Sequence, residues 1–256
     1  MRLAYVRHSG IRARAGNSAA IVQGDQVQLV SGKPLGRYQP TGESSALSAV
    51  QLLPPTRPSK IIAIGINYQS HAGDHSAPGQ PEPFLKAPSS LIGHDQTILL
   101  PPDAGRVDAE AEVVAVIGRR ARNIEEADVD RHIAGYTCGN DVSAREWQQS
   151  DLQWWRAKST DTFTAVGPWI ETDLGPEGLH LIGRLNGEVV QDSTTDELVH
   201  SIRKCVATIS RAMTLEPGDL VFTGTPGTTA ELHDGDVFEV EVGGVGVLRN
   251  AVATAS

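Results

Sequence analysis

Cysteine is scarce in this sequence. Cys138 and Cys205 are its only two, in 256 residues. Two cysteines in so long a chain make no disulfide framework, so both are expected to be reduced core thiols. Positive charge is also in short supply: 22 Lys and Arg stand against 31 Asp and Glu, for a net charge of −9 and a pI near 5.3. That balance argues against nucleic acid or an anionic membrane as the main partner, because both reward positive charge. Long hydrophobic runs are missing too. The longest early one, Ile61-Ile62-Ala63-Ile64, stops at Gly65, so no stretch is suited to spanning a bilayer. The opening MRLAYVRHSG lacks the apolar core of a secretory signal, and a cytoplasmic protein is expected. No internal repeat or low-complexity tract is present. What the chain does have is 39% hydrophobic residues, enough for one large domain or a small domain plus a larger one.

The first part reads as short strands. Residues 20–23 and 26–30 flank Gly24-Asp25, which suits a two-residue hairpin turn. Residues 37 to 59 carry Pro40, Gly42, Pro54, Pro55 and Pro58 and read as a surface connection, with a boundary near residue 57. The division expected is a small N-terminal β domain with its linker over 1–56 and a larger domain over 57–256. Beyond the boundary, KIIAIGINY reads as a strand, 71–83 as a loop, 107–118 as one strand and 125–133 as a short helix. Strands are also expected at 169–171, at 181–190 with a break at Asn186-Gly187, at 220–223, and in a closing hairpin over 236–248. Leu198, Ile202, Cys205, Val206, Ile209 and Met213 recur at helical spacing and predict a helix over 196–213, stopped by Pro217-Gly218. The pattern is mainly β with few helices and lacks the regular βα alternation of a doubly wound fold.

Four stretches carry chemistry. In VDAEAEVVAVIG, Asp108, Glu110 and Glu112 alternate in front of an apolar run. Side chains two apart on a strand share a face, roughly 6.5–7 Å apart along the chain. Carboxylates so arranged need water or a cation to offset their repulsion. A solvated surface cluster is one reading. The other is a hard divalent cation, Mg²⁺ or Mn²⁺, completed by a third carboxylate such as Asp141 in GYTCGNDVSARE. In RAKSTDTFTAVGPW, Lys158 sits among small and polar residues before an apolar strand. It reads either as a surface lysine or as a cation that stabilises developing negative charge. In HAGDH, His71 and Asp74 are three apart and form a base-and-orienter pair if the segment is one helical turn. A zinc-protease reading fits poorly, because Asp replaces Glu, Gly73 weakens the helix and Pro78 follows. In LVFTGTPGT, the turn offers backbone N–H groups and a hydroxyl to an anion. A plain tight turn is the alternative, and the P-loop pattern G-x-x-x-x-G-K-S/T is absent.

Taken in order, LLPPTRPSKIIAIGINYQSHAGD, FLKAPSSLIG, DAEAEVVAVIG, GYTCGNDVSAREWQ, WWRAKSTDTFTAVGPWI, LEPGDLVFTGTP and DGDVFEVEVGGVG resemble the fumarylacetoacetate hydrolase family. The match runs over roughly residues 52 to 250, in the acylpyruvase and 2-hydroxyhepta-2,4-diene-1,7-dioate isomerase-like branch. The resemblance implies a mixed β-roll or sandwich with a small N-terminal β domain, usually a homodimer. It implies Mg²⁺ or Mn²⁺ held by Glu110, Glu112 and Asp141, with Asp108 only a neighbour. It implies that Lys158 lies near the substrate oxygens, that Arg145, Gln148 and Thr225 meet the substrate's acid end, and that His71 belongs to a lid and pairs with a carboxylate, here Asp74 in place of the usual glutamate. After TGTP, the run GTTAEL departs from the family and predicts an altered loop.

The activity expected is metal-dependent hydrolysis of a C–C bond in an acylpyruvate-type acid of aromatic catabolism. The alternatives are isomerase or decarboxylase action on 2-hydroxymuconate-like or oxaloacetate-like acids, and a non-catalytic dicarboxylate- or metal-binding protein. Trp147, Trp154 and Trp155 either line the pocket or pack in the core.

Overall fold

The computed structural model describes residues 1–8, 17–72 and 77–255. The expected Asp74 and His75 therefore lie outside the described residues. The architecture is mainly β. The strand Ala111–Ile117 lies inside a 12-stranded sheet, between Ile133–Asp141 and Leu220–Phe222, and all seven of its residues are buried. Its side chains alternate between two cores. Val113, Ala115 and Ile117 pack into the larger one, while Val114 and Val116 join Ile61, Ala63, Val166 and Phe222 on the opposite face. A strand covered on both faces needs an unbroken apolar run, as this stretch of sequence has. Beyond Ile133–Asp141 the sheet continues through Thr164–Glu171 and Arg2–His8 to Ser18–Gln23, Gln26–Gly32 and Tyr38–Ala46. On the other side it continues through Ile61–Gly65 to the edge strand Glu82–Lys86. A five-stranded sheet, Glu188–Thr194, His180–Leu185, Val237–Val242, Gly246–Thr254 and Ile98–Leu100, packs against the larger core, and three short strands form a third sheet.

Several elements differ from the sequence reading. The stretch 107–118 is two strands. Val107–Ala109 belongs to the three-stranded sheet, Ala111–Ile117 to the large one, and Glu110 stands at the break between them. Residues 37–59 are not a connection throughout, because Tyr38–Ala46 and Val50–Leu53 are strands. Tyr38–Ala46 is an edge strand exposed on both faces, a position where Pro40 removes no essential ladder bond. The predicted long helix is shorter, Ile202–Ala212. It starts where Ser201 Oγ accepts a hydrogen bond from Lys204 N, and only a 3₁₀ turn, Thr195–Glu197, precedes it. The predicted helix at 125–133 is a 3₁₀ segment, Glu126–Arg131. The expected loop at 71–83 begins inside the short helix Gln69–Ala72, and its last residues join the strand Glu82–Lys86. The tryptophan segment carries two short helices, Arg145–Ser150 and Trp155–Ser159. Both cysteines are buried and unbridged, and burial pushes their thiols up to about 12. Among the described residues, no helix is long and apolar enough to cross a membrane.

Candidate active site

The antiparallel register of Ala111–Ile117 with Ile133–Asp141 pairs Ala111 with Asn140 and Glu112 with Gly139. That register brings Asp141 beside Glu110, where Asp141 N donates to Glu110 O at 3.0 Å. Asn140 Oδ1 fixes the break in the strand by accepting from Glu110 N at 2.9 Å. The result is a buried triad, Glu110, Glu112 and Asp141, with ligand oxygens within 4.8 Å of one another. Oxygens around one octahedral ion at 2.1 Å are at most about 4.2 Å apart, so closure onto an ion takes only small shifts.

Cations surround two of the three acids. Lys158, buried on the helix Trp155–Ser159, places its ammonium 2.7 Å from Glu110 Oε2 and 2.8 Å from Asp141 Oδ2. Arg145 reaches Glu110 Oε1 at 2.7 Å, and Lys86 reaches Asp141 Oδ1 at 2.5 Å. Burial alone raises the pKa of Glu110, but the charges of Lys158 and Arg145 outweigh it and hold this carboxyl well below the usual range. Glu112 is different. Its Oε2 accepts the Gly224 backbone N–H at 2.6 Å, and no side-chain cation bonds it among the described residues. Burial, then the charges of Asp141 and Glu110, push its pKa well above the ordinary value. A buried carboxylate lacking a cation, within an all-oxygen donor set, is the chemistry a hard divalent ion satisfies. Glu110, Glu112 and Asp141 fit Mg²⁺ or Mn²⁺ on that ground. Burial lowers the pKa of Lys158, but Asp141 and Glu110 raise it further, so the side chain stays cationic.

The triad opens into a cavity of about 240 Å³. Seven of the nine residues singled out from the sequence line it: His71, Glu110, Glu112, Asp141, Gln148, Lys158 and Thr225. Arg145 does not. Its guanidinium is held by Asp108, Glu110, Gln148 and Thr229, behind the cavity wall. Asp74, the expected partner of His71, lies outside the described residues, and the partner seen for His71 Nδ1 is the Gly227 carbonyl at 2.8 Å. Asp108 is a buried hub that accepts from Arg106, Arg145 and Thr229. The departure GTTAEL after the turn thus supplies Thr229 to this network. Ile64, Ile66, Ala72, Phe84 and Trp154 form the apolar part of the lining, and Phe84 meets Trp154 edge to face at 5.1 Å. Trp147 packs in the core, whereas Trp155 is 67% exposed. Sequence reasoning misses Lys86, whose partners Asp141, Lys158 and Phe163 lie far from it in the chain. It also misses Tyr68, whose buried hydroxyl has no partner among the described residues.

The site is thus a mainly β scaffold that buries three carboxylates and two lysines beside a small cavity. The fumarylacetoacetate (FAA) hydrolase C-terminal model matches residues 60–253, and the Rv2993c-like N-terminal model matches residues 1–55. The chain belongs to the fumarylacetoacetate hydrolase family and is an enzyme of that family. It is 38% identical over 214 residues to the mitochondrial oxaloacetate tautomerase Fahd2a of Rattus norvegicus, covering 78% of this chain and 68% of that protein. It superposes at a TM-score of 0.93 on the crystal structure of 5-carboxymethyl-2-hydroxymuconate delta-isomerase from Mycobacterium smegmatis, with 40% identity and full coverage of both chains. The maleylpyruvate hydrolase of Sphingobium sp. SYK-6, solved with manganese(II) and pyruvate, is 28% identical at a TM-score of 0.83, again with full coverage of both.

Proposed function

We propose that this protein is a Mg²⁺- or Mn²⁺-dependent enzyme that interconverts the keto and enol forms of a short 2-oxo acid. The observation that carries the proposal is the buried Glu110–Glu112–Asp141 triad with Lys158 at its edge, facing the same cavity as His71. An ion held by Glu110, Glu112 and Asp141 would supply Lewis acidity toward the 2-oxo acid. The chain's own groups do the rest. Lys158, cationic and fixed between Glu110 and Asp141, supports negative charge that grows on the substrate's 2-oxygen. A carbonyl only accepts, so Gly227 holds the proton on His71 Nδ1 and leaves Nε2 as a base. In enolisation that base takes the C3 proton while the 2-oxygen gains one from water, and in ketonisation the 2-oxygen gives its proton to water while the protonated His71 delivers one to C3. Thr225 and Gln148 meet the acid end.

Tautomerisation is preferred to C–C hydrolysis because the described orienter of His71 is a neutral carbonyl, which fixes the tautomer without adding basicity. Relatives also support it, since tautomerases and isomerases resemble this chain at higher identity than the hydrolase does. Hydrolysis of an acylpyruvate is the second reading. It is favoured by the position of the same His71 Nε2, which serves equally to deprotonate a water.

The test follows the decay of enol-oxaloacetate and the cleavage of acetylpyruvate with one Mg²⁺-loaded preparation. Accelerated ketonisation is expected, with loss in EDTA and a drop of about 10²–10³ in kcat for Lys158→Met. Cleavage without ketonisation selects the hydrolase reading. Oxalate binding without turnover of any 2-oxo acid selects a non-catalytic binding protein.

A further inference from the structure

Gln191 belongs to none of the motifs above. It lies in the strand Glu188–Thr194, opposite Gly183, and is 4% exposed. Its Oε1 accepts from Ala111 N at 2.9 Å, and Ala111 stands between Glu110 and Glu112. Its Nε2 donates to Thr225 Oγ1 at 2.7 Å and to the Pro226 carbonyl at 2.6 Å. The orientation of this amide is forced from both ends. A backbone N–H on one side requires the oxygen there, and a carbonyl on the other requires the NH₂. A Cβ on Gly183 would approach Gln191 Oε1 to 3.1 Å, so the glycine keeps room for the amide.

The forced amide has a consequence for Thr225. Its oxygen must accept from Gln191. A threonine hydroxyl carries one proton, and that proton has no acceptor among the described residues. Thr225 lines the cavity together with the carboxylate triad.

We propose that Gln191 is a positioning residue that locks Thr225 as a hydrogen-bond donor to the carboxylate of the bound acid. One side-chain amide thereby ties the backbone between the two glutamates to the threonine turn, fixing the distance between the ion's ligands and the group that holds the substrate. The inference rests on the reading that a 2-oxo acid occupies this cavity.

Titration of oxalate into the Mg²⁺-loaded protein by calorimetry tests it apart from turnover. Thr225→Val is expected to weaken oxalate about 10- to 100-fold, the range of one hydrogen bond to a charged group, and Thr225→Ser to leave it within about twofold. Gln191→Glu, which only accepts at this position, draws the Thr225 proton toward itself and should lose as much as Thr225→Val. The double variant should be no weaker than Thr225→Val alone, because Gln191 acts through that hydroxyl. A loss for Thr225→Val with none for a folded Gln191→Glu overturns the role of Gln191 and leaves the site reading standing. Normal oxalate binding by Thr225→Val overturns the role of Thr225 and with it that of Gln191, whereas no oxalate binding by the unsubstituted protein overturns the site reading. If Gln191→Glu does not fold, ¹⁵N-labelled unsubstituted protein decides the matter. Slow exchange of the Gln191 side-chain protons, with a resonance that moves on adding oxalate, supports the role. Exchange as fast as that of a solvated glutamine overturns it.

Discussion

Lys86 is a fully buried lysine, and its ammonium is shared among Asp141, the Phe163 carbonyl at 3.2 Å and the Lys158 carbonyl. Burial lowers its pKa, and Asp141 is the main charge opposing that shift. Removing one partner of a buried ion pair costs about 3–5 kcal/mol when it strands the other, and the lower end applies here because Lys158 still pairs with Asp141. Lys86→Met is therefore expected to lose about 3 kcal/mol of stability in EDTA. Saturating Mn²⁺ should restore part of it, because an ion bound to the native state takes over the charge of Asp141. Urea unfolding with and without Mn²⁺ reads both effects, and an unchanged midpoint in EDTA would show that Asp141 does not depend on this lysine. The contrast with the triad shows what a sequence exposes. Glu110 and Glu112 stand out because their spacing is local and breaks into an apolar run. Lys86 and Gln191 carry no local mark of their partners, which come from distant segments of the chain and meet them only once the sheets have assembled.

At the scale of elements, the strand Ile133–Asp141 shows why its sequence is rich in small residues. A Cβ on Gly139 would come within 2.4 Å of Val114 Cγ2 and 2.5 Å of Phe222 Cε1. The facing strands fill the space that this glycine leaves, and Gly139 pairs directly with Glu112. Gly139→Ala is expected to cost about 1–3 kcal/mol from overpacking. It should also weaken Mn²⁺ binding, because the strand cannot shift without carrying Asp141 away from Glu112. Chemical denaturation and a Mn²⁺ titration on the same variant test this. Stability lost with full metal affinity would mean that the sheet absorbs the strain elsewhere. Elements with strong periodicity, such as the Asn186-Gly187 hairpin and the core of the helix Ile202–Ala212, are legible in the amino-acid pattern alone. The break at Glu110 is not, because two strands in two sheets leave the same alternating pattern as one. Nor is the edge strand Tyr38–Ala46, where exposure on both faces erases the period.

At the scale of the whole molecule, the segment from 54 to 60 joins the N-terminal strands to the rest, and Asp219 fastens it. This buried carboxylate accepts from Ser59 N and Oγ at 2.9 and 2.7 Å, from Lys60 N and Nζ at 3.1 and 2.5 Å, and from Glu216 N at 2.8 Å. Thr56 adds a bond from its hydroxyl to Gly218 O at 2.9 Å. Burial raises the pKa of Asp219, but the Glu216 N–H, Lys60 and Ser59 together outweigh it, leaving the group below its ordinary value. A carboxyl with a lower pKa folded than unfolded adds stability in full above the unfolded pKa of about 3.9, and the contribution is lost as pH falls through the folded value. Asp219→Asn removes the charge while keeping the shape, and is expected to cost about 2–4 kcal/mol at pH 7. That gap to the unsubstituted protein should persist at pH 5 and begin to narrow only below the unfolded value of about 3.9, closing as pH falls through the lower folded value, where the native carboxyl gains a proton and comes to resemble the amide. Urea midpoints of both proteins at pH 7, 5 and 3 give the answer. A gap that does not narrow at all between pH 5 and the acid unfolding of the unsubstituted protein would mean that Asp219 acts through the number of its hydrogen bonds and not through its charge.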